Sequence, residues 1–149
     1  MKKKFIFIKI FILNYLLASN VLASESIYLN KGIELFKKKE YENSKILFER
    51  DIVFDPKSEK SYLYLAKIFN NVTNYEEEEI NLNSVLLLNP NNDEALYMLT
   101  LLKIKQSNYK KVNELLDKFI LICVKFCSKK SEIKEKLKKL TPSNAEDNN

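Results

Sequence analysis

Apolar residues recur through residues 25–126 at helical spacing, in stripes separated by short polar turns. In residues 25–58 one stripe runs through Ile27, Tyr28, Leu35 and Phe36, and a second through Ile46, Leu47, Phe48 and Ile52. Asp55-Pro56-Lys57-Ser58 and Asn89-Pro90-Asn91-Asn92 divide one pair of stripes from the next. Proline cannot continue a helix, and Ser58 or Asn92 can accept from the free N–H groups of the helix that follows. The pattern predicts helix–turn–helix pairs. Helices of about 13 residues cannot bury two such stripes alone, so each pair must stack on the next.

The stripes repeat with a period of 34, in blocks 25–58, 59–92 and 93–126. Tyr41, Tyr75 and Tyr109 share one column; Tyr28, Tyr62 and Leu96 share another. Phe48, Leu82 and Leu116 form a large apolar column, and Gly32, Ala66 and Thr100 a small one. Pro56 and Pro90 align, each after Asp or Asn; the third block has no proline there. These columns resemble the tetratricopeptide repeat (TPR) across about residues 25–126. The resemblance implies an all-α, right-handed solenoid of about three helix–turn–helix units. The second helices depart from the family pattern, which places alanine twice where the two helices approach. Here those positions hold Ser44 and Asp51, Glu78 and Val85, then Val112 and Phe119. Asp51 and Glu78 predict a locally rotated second helix with Ile80 turned inward.

Beyond the blocks, residues 129–140 place Ile133, Leu137 and Leu140 at helical spacing among Lys and Glu, the pattern of a solvating cap helix. Thr141-Pro142 should end it, leaving residues 141–149 as a disordered tail. Together these divide the chain into a leader at 1–23, a TPR domain at 24–140 and the tail.

The leader reads as a secretory signal peptide. Lys2-Lys3-Lys4 gives a cationic start, an apolar stretch follows, and Val21-Leu22-Ala23 supplies small residues for cleavage before Ser24. The expected location is periplasmic or secreted, with no transmembrane span left after cleavage. The alternative is an uncleaved membrane anchor, disfavoured by Lys9, Asn14 and Asn20. The leader also changes the charge. The whole chain carries +5; the four lysines of residues 1–23 account for most of it, leaving +1. That remainder lacks the sustained basic excess of a nucleic-acid binder.

With no His and 1 Gly, the sequence lacks the commonest general base and zinc ligand, and it lacks Gly-rich phosphate loops. No enzyme activity, metal or cofactor is expected. Glu76 to Glu79 sit where a helix starts, and carboxylates favour that end of the dipole. Cys123 and Cys127 can bridge only if the helix ends near Lys125; otherwise they are buried thiols packing as small apolar residues. Lys129 to Lys139 reads as a solvated helix face.

The resemblance implies that first helices line a concave groove binding a partner protein or peptide. Carried onto this chain, the groove positions are Leu29, Ile33 and Phe36, then Leu63, Lys67 and Asn70, then Tyr97, Leu101 and Ile104. That surface is expected to be apolar at both ends and polar and basic around Lys67 and Asn70. The alternative role is a structural subunit of an envelope complex or homo-oligomer.

Overall fold

A computed structural model describes residues 26–140, all of its regular structure helical. The leader at 1–23 and the tail at 141–149 lie outside the described residues. Six helices form three pairs: α1 (Ile27–Lys37) with α2 (Tyr41–Phe54), α3 (Glu59–Asn71) with α4 (Tyr75–Leu88), and α5 (Asp93–Lys105) with α6 (Tyr109–Ile122). A 3-10 turn at Cys127–Lys129 leads into α7 (Lys130–Leu140), which packs on α5 and α6. Each pair also packs on the next through α2 with α3 and α4 with α5, making a solenoid.

The pairs share one turn. Lys39, Thr73 and Ser107, 34 residues apart, adopt left-handed φ values of 63°, 56° and 56°. In each turn the next N–H reaches back over the helix end: Glu40 to the Leu35 carbonyl, Asn74 to Phe69 and Asn108 to Lys103, all at 2.9–3.0 Å. These bonds satisfy carbonyls that a helix end leaves open. Asn74 and Asn108 then cap the second helices by accepting from Glu77 and Lys111.

The turns between pairs use a different device. Asp55 and Asn89 accept from the N–H two residues on, across Pro56 and Pro90. Asn92 caps α5, accepting from the Ala95 N–H at 2.8 Å. Asn89 and Asn92 both donate to Glu59, tying this turn to the start of α3.

Two apolar clusters fill the solenoid, and α3 belongs to both. Leu65 and Ile68 join Leu29 and Phe48 on one side. Leu63 and Ala66 join Leu82, Leu96, Val112, Phe119 and others on the opposite side. Ile133 of α7 is fully buried in that second cluster, so α7 covers the open end of the third pair.

The packing corrects four expectations. Ile80 does not turn inward; it is 52% exposed, while Asp51 and Glu78 are buried. Neither helix rotates, because neighbours supply polar partners: Ser58 and Ser61 hydroxyls both donate to Asp51 Oδ2 at 2.5 Å, and Asn70 donates to Glu78 at 2.7 Å. The Ser58 side chain therefore does not cap α3. Ile27, expected in the core stripe, is exposed. Its equivalents Ser61 and Ala95 are buried, because a preceding pair covers them and none among the described residues covers Ile27. Ile46, the fourth and also expected in a core stripe, faces outward like Ile80.

Within the first pair the Gly32 carbonyl accepts from the Ser44 hydroxyl at 2.8 Å. A Cβ on Gly32 would lie 2.7 Å from Cε1 of Phe48. Phe48 is fully buried and stacks on Tyr64, so its ring has nowhere to move. Gly32→Ala should therefore destabilise the fold by about 1–2 kcal/mol by urea denaturation, overpacking outweighing the helix propensity of alanine. Thr73→Gly should have the opposite sign. A β-branched residue is strained at positive φ, and relief should stabilise by about 0.5–1 kcal/mol in the same measurement, net of glycine's unfolded-state entropy.

Candidate functional site

The first helices α1, α3 and α5 carry all nine positions assigned to the groove, and the structure uses most of them internally. On α1, Leu29 is buried and Ile33 and Phe36 pack on the first cluster. Phe36 meets Tyr64 edge-on at 5.1 Å and Tyr41 at 5.4 Å. On α3, Leu63 is buried in the second cluster.

The polar, basic centre expected around Lys67 and Asn70 is not free. Lys67 Nζ lies 2.8 Å from Glu94 and 4.8 Å above the Tyr64 ring. Asn70 is committed to Glu78. Sequence spacing identifies both positions but not these partners, which arrive from the neighbouring helices α5 and α4.

On α5, Tyr97 donates its hydroxyl to Glu132 at 3.0 Å, and its ring packs near Phe119 and Phe126. Burial, then the Glu132 carboxylate, push the Tyr97 phenol above its ordinary value. Ile104 is buried in the second cluster and Leu101 packs against it. They line an open cavity of about 370 Å³ shared with Lys105, Ser107, Lys136 and Lys139. The α5 residues make an apolar floor and α7 supplies one side of a cationic rim. Lys139 is paired with Glu135 at 2.6 Å, and Lys136 is 3.9 Å from Glu132. Lys105 lies 5.3 Å over the Tyr75 ring.

A second opening, of about 350 Å³, lies between the start of α3, the Asn89–Asp93 turn and the loop after α6; Leu63 reaches its wall. That loop is bridged by a Cys123–Cys127 disulfide with Cα atoms 5.2 Å apart. The sequence left packed thiols open as the alternative. The bridge forms because α6 ends at Ile122, so the two cysteines do not share a helix. Inside the bridged loop the N–H groups of Val124, Lys125 and Phe126 converge on Asp93 Oδ2 at 2.8, 2.6 and 3.0 Å. Burial pushes the Asp93 carboxyl up, but these N–H groups and that of Glu94 outweigh it and hold the carboxyl below its ordinary value. The sequence carries no signal for this role. Asp93 reads as a helix-start acid, and its partners lie more than 30 residues away.

The four consecutive glutamates diverge. Glu76 is exposed, Glu77 lies in the first turn with its N–H donating to the Asn74 cap, Glu78 is buried against Asn70, and Glu79 pairs with Lys103. Among the described residues no group of three or more Cys, Asp or Glu is placed to hold a metal ion. None of the described helices is long and apolar enough to cross a membrane.

Buried Asp51 and Glu78 have opposite acidities. Burial pushes Asp51 up, but the Ser26, Ser58 and Ser61 hydroxyls bring it below its ordinary value. Its Oδ1 is left unsatisfied. Burial dominates at Glu78, raising its pKa against the weaker pull of Asn70 and the Lys105 charge; its Oε2 has no partner.

The fold is similar to solved solenoids. A chain of the TPR2B-domain:pHsp70 complex of yeast Sti1 superposes with a TM-score of 0.69 at 17% identity, over 76% of this chain and 98% of that one. A chain of the CopN–Scc3 complex superposes with a TM-score of 0.64 at 14% identity, over 72% of this chain and 65% of that one. No family model and no curated protein matches the sequence. The likeness establishes a TPR-like solenoid.

The raised pKa of Glu78 gives its pH dependence a definite sign. The native carboxyl keeps its proton at pH values where the unfolded one has lost it. Its contribution is thus complete below about pH 4.5 and is lost as pH rises through the native value. The urea midpoint of the wild type should fall relative to that of Glu78→Gln between pH 4 and pH 7. A constant difference across that range would show that Glu78 does not titrate abnormally.

Proposed function

We propose that this chain is an exported, non-enzymatic interaction module that binds a segment of a partner protein along its concave side. The observation that carries the reading is the cavity between α5 and α7. Leu101 and Ile104 offer an apolar floor, and Lys105, Lys136 and Lys139 surround it with positive charge. An extended or helical segment with an aliphatic anchor and an acidic group has the matching chemistry. Ile33 and Phe36 extend the apolar surface at the other end, while Lys67 and Asn70 act as internal struts. The solved complexes named above are protein complexes built on the same fold, which supports a binding role. Export follows from the leader, with cleavage after Ala23 and release into the periplasm or medium.

A photoreactive amino acid at Leu101 in cells should crosslink to a defined partner protein. Lys105→Glu with Lys136→Glu should reduce that capture about tenfold while leaving the circular dichroism spectrum unchanged, since both lysines are exposed. No adduct at Leu101 or Ile33 would count against the groove. For export, the mature amino terminus read by mass spectrometry should be Ser24; an intact Met1 in the cytoplasmic fraction would refute it.

A further inference from the structure

The outer helices α2, α4 and α6 carry an apolar pattern that neither cluster uses. Val53, Leu87 and Leu121 recur 34 residues apart and are 77%, 84% and 84% exposed. Ile46 and Ile80, seven residues before Val53 and Leu87, are also exposed. Residues seven apart lie on the same helix face, so each pair forms an outward row about 10 Å long.

The middle of each row differs between helices. On α4 it holds Asn83 and Ser84, and the Ser84 hydroxyl donates to its own helix at the Ile80 carbonyl, 3.0 Å away. The middle of that row therefore carries no charge. On α2 the same positions hold Glu49 and Arg50, and on α6 they hold Asp117 and Lys118, all exposed. Glu49 has a loose 3.6 Å contact with Lys45. Each flanking helix thus presents an acid followed by a base at the midpoint of its outward face.

We propose that this outer face binds a second copy of the same chain about a two-fold axis running along the line of repeats. Such an axis lays each outer helix antiparallel on its own equivalent. With the register centred between Asn83 and Ser84, Ile80 meets the partner's Leu87 and Ile46 meets the partner's Val53. The same operation sets Glu49 against the partner's Arg50 and Asp117 against the partner's Lys118. One symmetry operation matches the apolar rows and both charge pairs together. The third row is mismatched at Leu121, which meets the partner's Glu114, itself tied to Lys111 at 2.8 Å. A lipid surface fits less well, because Glu49 and Asp117 would face anionic headgroups. This inference uses only the outer face and is independent of the groove reading.

Sedimentation equilibrium of the full chain over a wide concentration range tests it. The wild type should show a reversible monomer–dimer equilibrium. Leu87→Glu, at a position too exposed to affect folding, should weaken it at least tenfold with an unchanged circular dichroism spectrum. Arg50→Glu should also weaken it, by opposing acids across the axis. The double variant Glu49→Arg with Arg50→Glu should restore association, because the exchange preserves opposite signs under a two-fold but not in a contact with an unrelated surface. Under mild oxidation Ser84→Cys should form a crosslinked dimer, and Lys105→Cys on the other side should not. A monomer at all concentrations, association indifferent to Leu87→Glu, or a double variant as weak as Arg50→Glu would overturn the proposal. So would a monomer that binds anionic phosphatidylglycerol vesicles through Leu87.

Discussion

The close approach of the two helices within each pair is the constraint on which the solenoid depends. In the first pair the backbone at Gly32 comes close enough for its carbonyl to accept from Ser44, and the Phe48 ring occupies the space a side chain would need. Ala66 and Thr100 hold the same place in the next two pairs, both fully buried. With the pair drawn this tight, Phe48 stacks on Tyr64 of the next pair, while Leu82 and Leu116 fill the second cluster. Stacking follows from the apolar surface that a single pair cannot enclose.

That tight geometry explains how the chain tolerates acids where the family pattern has alanine. Asp51 and Glu78 occupy inward sites, and burying a carboxylate is costly unless it is hydrogen-bonded. Two serines from the following turn and helix answer Asp51, while a single asparagine answers Glu78. The difference in partners accounts for the opposite directions of their acidity. The exchange has a consequence for the concave side: Asn70, on the surface-facing edge of α3, is drawn into the fold as a strut. Lys67 is similarly drawn to Glu94 and the Tyr64 ring. The middle of the groove is thus structural, and open space collects at its far end, where α7 adds lysines beside Leu101 and Ile104.

The carboxy-terminal half shows the same economy of polar contacts. One oxygen of Asp93 gathers three backbone N–H groups from a loop closed by the Cys123–Cys127 disulfide. This loop stands where the third block lacks its proline turn, and it delivers α7 to the exposed end of the last pair. On the outer face the polar ties stay within single helices, as in Ser84 to the Ile80 carbonyl and Lys111 to Glu114. The exposed aliphatic residues there follow the repeat period without serving the core.

Helix positions, the period and the small and aromatic columns were legible in the sequence, because helical spacing and turn chemistry are local properties. Tyr41, Tyr75 and Tyr109 each open a second helix, and Asp55-Pro56 and Asn89-Pro90 each end a pair. The left-handed turns at Lys39, Thr73 and Ser107 were not legible, since none is glycine; packing of the pair imposes the conformation on residues that do not prefer it. Nor were the inward acids, the occupied groove centre, the outward Ile80 or the Asp93 nest. Each depends on a partner brought from another helix or turn, from 7 to 33 residues away. Local spacing determines which face a residue occupies on its own helix. Whether that face meets solvent, apolar side chains or a matching hydrogen-bond donor is decided only when the pairs stack.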